Sequence, residues 1–142
     1  MNGDSMSKLS RFSVSVDAEL LAKFDGQLQS DQYPARSKAI ADLIRDSLIR
    51  KQWAAGKNVA GAIILVYDHH KRDLTNKLTH IQHDFHHLII STQHIHLDHY
   101  NCLEIVVVKG KSRDVETLAG RLRGAKGVKH GSLAMATTGR GL

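Results

Sequence analysis

The chain has 142 residues, a formal net charge of +6, ten histidines, one cysteine and one proline. That length suits one medium domain or two small ones, and 42% hydrophobic with 24% charged residues excludes wholesale disorder. A single cysteine excludes an intrachain disulfide framework and points to a reducing compartment. No apolar run is long enough to span a bilayer, and Met1 to Ser10 are too polar for a secretory leader. The expected location is the cytoplasm, with no membrane partner. Residues 1–55 carry eight basic against seven acidic residues; residues 56–142 carry twelve against seven. An excess of positive charge favours an anionic partner, of which nucleic acid is the commonest.

A flexible arm is expected over residues 1–10. Arg11 to Val16 then alternates with period two, with Phe12, Val14 and Val16 on one face and Arg11, Ser13 and Ser15 on the other. Asp17 is placed to cap a helix whose stripe is Leu20, Leu21, Phe24 and Leu28. Pro34 stops that helix. Ser37 is read as the cap of a second helix carrying Ile40, Leu43, Ile44, Leu48 and Trp53, which ends near Gly56. One short amphipathic strand has no partner in its own chain, so a second copy is required. Two copies paired antiparallel would bury the apolar face and present Arg11, Ser13 and Ser15 twice. A two-stranded ribbon fits the DNA major groove.

This stretch resembles the ribbon-helix-helix repressors, through the strand Arg11–Val16, the helix after Asp17, the turn at Tyr33-Pro34 and the segment Arg36-Ser37-Lys38-Ala39-Ile40. The resemblance implies an intertwined dimer. It also implies that Arg11, Ser13 and Ser15 contact bases and that Arg36 and Ser37 lie near phosphate, where a helix N-terminus binds anions.

Residues 11–56 are thus read as one domain and 57–60 as a linker. Gly61 to Tyr67 is an apolar run of strand length. A helix follows from Asp73 to about His87, with Leu74, Leu78, Ile81 and Phe85 on one face. His87–Leu97 and Cys102–Val108 read as strands joined by a turn at Asn101, Asp114–Leu122 as a helix, and Val128–Met135 as a last strand. The order βαββαβ is the split, ferredoxin-like arrangement, expected over residues 61–137 with a tail at 138–142. The whole chain is therefore expected to be α+β.

Nine of the ten histidines fall between His69 and His99. On a strand, His94 and His96 share a face, and Cys102 returns beside them through the turn. Two imidazoles and a thiolate then converge, a donor set for a metal ion. A closed site needs a fourth donor. His83 is the candidate, but Ile81 and Phe85 should turn inward, and spacing does not say which subunit's His83 would serve.

With these residues in view, the chain resembles the nickel-responsive regulator family, NikR, over roughly residues 9 to 136. The motifs are His83-x10-His94-x-His96-x5-Cys102-Leu103-Glu104, Tyr67-Asp68-His69-His70-Lys71-Arg72-Asp73-Leu74 and Gly127-Val128-Lys129-His130. The resemblance implies a ribbon-helix-helix domain before a ferredoxin-like, ACT-like metal domain, and a homotetramer built as a dimer of dimers. It implies one Ni(II) per subunit in a four-coordinate planar site, with His94, His96 and Cys102 from one chain and His83 from another. Gln82, Glu104 and His99 are expected around the ligands, and Lys71 and Arg72 on the DNA backbone. Planar nitrogen and thiolate coordination suits Ni(II) or Cu(II), and Zn(II) would pull the same donors toward a tetrahedron. Position 38 departs from the family: Lys38 stands where relatives often have an acidic residue that, with the position of Asp42, helps hold a second cation. The expectation is that its ammonium replaces that cation or that the site is lost; an oxygen-coordinated cation found on Asp42 would overturn this.

The sequence therefore reads as a nickel-sensing repressor of nickel-uptake genes, with operator DNA in palindromic half-sites as partner and no small-molecule substrate. The alternative is a metal-storage or metal-delivery protein for Ni, Cu or Zn. Four protein ligands leave no open position for a substrate, and no nucleophile–base spacing is present, so no enzyme is expected.

Overall fold

The computed structural model describes residues 8–142. The expected arm at residues 1–10 lies outside the described residues as far as residue 7. Two compact units divide the chain, Met1–Asp42 and Leu43–Leu142.

In the first unit, α1 spans Ala18–Ser30, and the Asp17 carboxylate accepts from the backbone N–H of Glu19 at 2.9 Å and Leu20 at 3.1 Å. The helix closes through Gln32, held at φ 58°, with Tyr33 N–H donating to the Leu28 carbonyl and Gln32 N–H to that of Gln29. This pair of bonds satisfies carbonyls that a helix end leaves orphaned. Helix α2 spans Arg36–Ala54. It starts one residue before the expected cap: the Ala35 carbonyl accepts the first helical bond, from Ala39 N–H, so Ser37 sits inside the first turn. Pro34 keeps Tyr33 out of helical geometry, so the chain enters the second helix only beyond it.

The strand expected at Arg11–Val16 is not formed. Residues 8–17 have no regular structure and are exposed, with Phe12 70%, Val14 64% and Val16 48% accessible. The reason is physical. A strand exists through ladder hydrogen bonds, and one chain offers this segment no second strand.

The second unit begins within α2, whose Trp53 belongs to its core. The Trp53 indole donates to the Ala136 carbonyl at 2.9 Å, and its own carbonyl accepts from the Ser112 hydroxyl at 2.6 Å. Helix α2 ends at Gly56, φ 71°, with Lys57 N–H on the Gln52 carbonyl and Gly56 N–H on that of Trp53. Only glycine takes that backbone without strain. Then follow β1 (Asn58–Asp68), α3 (Arg72–Asp84), a short 3-10 turn (His86–Leu88), β2 (Ile89–His96), β3 (Asn101–Lys111), α4 (Ser112–Arg123) and β4 (Val128–Met135). The order is βαββαβ, and the four strands form one antiparallel sheet in the order β2-β3-β1-β4.

Alternation along β1 sets the layers. Val59, Ile63, Leu65 and Tyr67 point into a core completed by Leu74, Leu78 and Ile81 of α3 and Val115, Leu118 and Leu122 of α4. Each such side chain contributes about 1.5–3 kcal/mol on burial. Ala62, Ile64 and Val66 face the other way and are only half-buried. Both helices thus cover one face of the sheet. No helix among the described residues is long and apolar enough to cross a membrane.

Candidate metal centre

The register of β2 against β3 assembles the donors. His94 pairs with Glu104 and His96 with Cys102. Directly opposed residues of an antiparallel pair share a face. Cys102 and Glu104 both turn to the helix-covered face, 2% and 1% exposed, so His94 and His96 rise on that same side at the sheet edge. The Cys102 sulfur lies 3.9 Å from His94 Nδ1. Burial pushes the Cys102 thiol up from its ordinary pKa, with Glu104 adding to the rise.

Glu104 is the buried hub. Its Oε2 accepts from the Tyr67 hydroxyl at 2.7 Å, its Oε1 accepts from Gln82 Nε2 at 2.8 Å, and His94 Nε2 is 3.4 Å from the same Oε1. Both carboxyl oxygens of Glu104 thus accept from side-chain donors. Burial, with the Glu104 carboxylate beside it, pushes the Tyr67 hydroxyl far up, so it stays a donor. The Glu104 carboxyl stands beside His94 Nε2 while Nδ1 faces the sulfur. Metal-binding imidazoles are held in this way by an acceptor on the second nitrogen. Three elements meet at Glu104: β1 through Tyr67, α3 through Gln82 and β2 through His94. Gln82 also accepts from Thr92 at 3.5 Å.

The remaining expected residues lie elsewhere. His83 is exposed on α3, with its ring 5.9 Å from that of His86. Ile81 is buried and Phe85 packs on the core, which turns His83 outward. His99 sits in the β2–β3 turn, its ring centre 5.0 Å from that of His70 and 4.8 Å from that of Tyr100. That turn is fixed by Asp98, whose carboxylate accepts from Tyr100 N–H and Asn101 N–H, each at 2.8 Å. Among the described residues no three histidine, cysteine or carboxylate groups converge on one point. One chain brings together a thiol, an imidazole with Nδ1 3.9 Å from its sulfur, and a second imidazole opposite the cysteine in the strand register. Those residue types fit a thiolate–imidazole nickel site that a donor from outside the chain would complete.

Two residues were not singled out by spacing. Tyr67 is one; its contact with Glu104 crosses 37 positions, which no local motif encodes. His69 is the other: its ring stands edge-on to His96 at 4.5 Å, and its Nδ1 is buried without a hydrogen-bond partner.

The candidate DNA residues are spread along the chain. Arg11, Ser13 and Ser15 are exposed in the segment without regular structure. Arg36 is held by Asp25 through two bonds, at 2.8 and 2.6 Å, which keep the Asp25 carboxyl below its usual pKa. Ser37 is exposed. Lys38 Nζ lies on both Asp42 oxygens, at 2.6 and 2.8 Å, and Tyr33 donates to the same carboxylate at 3.1 Å. Lys71 and Arg72 open α3 and, with His70 and Lys126, line an open hollow of about 600 Å³.

Replacing Glu104 by Ala is expected to weaken nickel binding by about 10–100-fold, the usual effect of removing a partner behind a ligand. Titration with Ni(II) checks this, and unchanged affinity would show that Glu104 does not orient His94.

Comparison with known proteins gives a consistent set of likenesses. Residues 60–136 match the model of the NikR C terminal nickel binding domain. A protein of Chlorobium limicola named "Putative nickel-responsive regulator" is 52% identical over 134 residues, 94% of this chain and 100% of that relative. Proteins of the same name from Chlorobaculum parvum and Nitratidesulfovibrio vulgaris are 54% and 52% identical, covering 93% and 96% of this chain and 98% and 99% of theirs. An uncharacterized protein of Thermotoga maritima matches in fold, with TM-score 0.51 and 14% identity over 56% of this chain and 98% of its own.

Proposed function

Because the chain belongs to the nickel-responsive regulator family, we propose that it is a nickel-dependent DNA-binding transcriptional regulator acting in the cytoplasm as a repressor of nickel-uptake genes. The family is one of regulators rather than enzymes. The observation that carries the metal half is the orientation of His94, with Nδ1 toward the Cys102 sulfur and Nε2 on the buried Glu104 carboxylate.

In this reading His94, His96 and Cys102 of one chain and His83 of a second hold one Ni(II) per subunit. Ni(II), when bound, would favour planar coordination by such imidazole nitrogens and the thiolate. Glu104 fixes the His94 tautomer, and Gln82 ties α3 to that carboxylate. Ordering His83 would therefore also settle the helix that carries it. An outward-facing His83 and a half-exposed sheet face support a second copy of the chain as the source of the missing donor, within a dimer of dimers.

The exposed Phe12, Val14 and Val16 support an intertwined ribbon-helix-helix dimer, since exposed apolar residues at period two mark a strand face that needs covering. Arg11, Ser13 and Ser15 then read bases in palindromic half-sites. Ser37 and Arg36 lie near phosphate, and Lys71 and Arg72 meet the DNA backbone. The Lys38 ammonium on Asp42 supports the view that a lysine replaces a second cation in this chain.

Nickel and operator must then strengthen each other's binding by one factor. The test is operator affinity of the purified protein with and without Ni(II) at fixed salt. Nickel is expected to tighten binding at least about 5-fold; equal affinity in both conditions refutes the sensing role.

A further inference from the structure

At the other end of β1 from Tyr67 lies a second basic hollow, which the metal and operator readings leave without a role. It measures about 630 Å³ and is lined by Gln52, Lys57, Asn58, Lys109, Thr138 and Arg140, together with Gly141. Three of these residues are cations and none is acidic. Among the described residues no carboxylate pairs with Lys57, Lys109 or Arg140. Lys111 stands opposite Asn58 in the β1–β3 register and adds a fourth positive charge to that end of the sheet.

The backbone that carries these groups is fixed. Lys57 N–H donates to the Gln52 carbonyl at 3.1 Å, and the Lys57 carbonyl accepts from Ser112 N–H at 3.0 Å. Lys109 is paired in the sheet opposite Ala60. The tail is drawn back over α2: Gln52 Nε2 donates to the Arg140 carbonyl at 3.1 Å, and Arg140 N–H reaches the Thr138 hydroxyl at 3.5 Å. Gathering like charges around one concavity costs repulsion, and such a cleft focuses positive potential on whatever enters it. Its size is that of a small-molecule site. It offers two ammonium groups and a guanidinium fork, with the amides of Gln52 and Asn58 and the Thr138 hydroxyl as neutral partners.

We infer that this hollow is a binding site for a phosphate-bearing polyanion, held by Lys57, Lys109 and Arg140. Guanidinium and ammonium groups are the residues that recognise phosphate. The phosphates come either from a soluble polyphosphate ester or from a nucleic-acid backbone, and the two sources separate by experiment.

The probe is pyrophosphate, titrated by calorimetry into the full-length protein in 100 mM salt and compared with the double variant Lys57→Gln/Lys109→Gln. Both positions are exposed, so the fold should persist, and an unchanged nickel absorption spectrum verifies it. Wild type should bind pyrophosphate, and the variant should bind it more than about 10-fold more weakly, as the removal of two charge-assisted bonds requires. The salt dependence of operator binding then identifies the source. If the phosphates belong to DNA, the slope of log K against log salt falls by about 0.9 for each phosphate that the variant no longer neutralises. If they belong to a soluble ester, the variant loses pyrophosphate affinity to the same extent while the slope stays. Absence of pyrophosphate binding in wild type, or equal affinity in the two proteins, overturns the site.

Discussion

Alanine at Arg11 is expected to abolish specific operator binding while nickel binding stays intact. A guanidinium that reads a guanine edge with two hydrogen bonds discriminates by about 1–3 kcal/mol. In a two-fold ribbon the loss occurs twice, so the cost is about 2–6 kcal/mol, roughly 30-fold to more than 10⁴-fold in affinity. Arg36→Ala should cost less, because the Arg36 guanidinium is already neutralised by Asp25. Fluorescence anisotropy with operator and scrambled DNA at one salt concentration checks both variants. A storage or delivery protein would have no operator preference to lose, so an unaltered Arg11→Ala result would favour that reading.

Alanine at Cys102 is expected to remove the thiolate-to-nickel charge-transfer band and with it the nickel dependence of DNA binding. Cys102 is the only sulfur ligand the chain can offer as a thiolate. Its removal should exceed the 10–100-fold effect that is typical of a partner behind a ligand. Circular dichroism separates loss of the ligand from loss of the fold, since the side chain is buried beside the β1–β3 core. A band that persists in the variant would place nickel elsewhere in the histidine-rich region.

Local pattern revealed what depends on neighbours in sequence. A continuous apolar run locates β1, a helical stripe locates α3, and the run from His94 to Cys102 is a strand–turn–strand that sets His96 opposite Cys102 and His94 opposite Glu104. Pairing between distant residues was not legible. The Glu104 hub needs the register that sets Leu65 against Glu104 and the helix that brings in Gln82. Glu104 was expected near the metal; that it also holds Tyr67 emerges only in three dimensions. The segment Arg11–Val16 shows the opposite limit. Its period is that of a strand, yet in one chain it has no ladder partner and no regular structure; the proposed dimer would supply the second strand. Ser37 carries the residue type of a cap, yet the cap lies at Ala35, two residues before it, since the first helical bond runs from Ala39 N–H to the Ala35 carbonyl.

The donor geometry has a thermodynamic consequence. His94 and Cys102 converge within one chain while His83 faces outward. A metal whose full ligand set spans two molecules ties occupancy to assembly by mass action. Dilution would then loosen nickel as it loosens the subunits, and metal in excess would hold the subunits together. With His83 of a second chain as the fourth ligand, as proposed, the apparent affinity for nickel would depend on the protein's concentration as much as on its ligands.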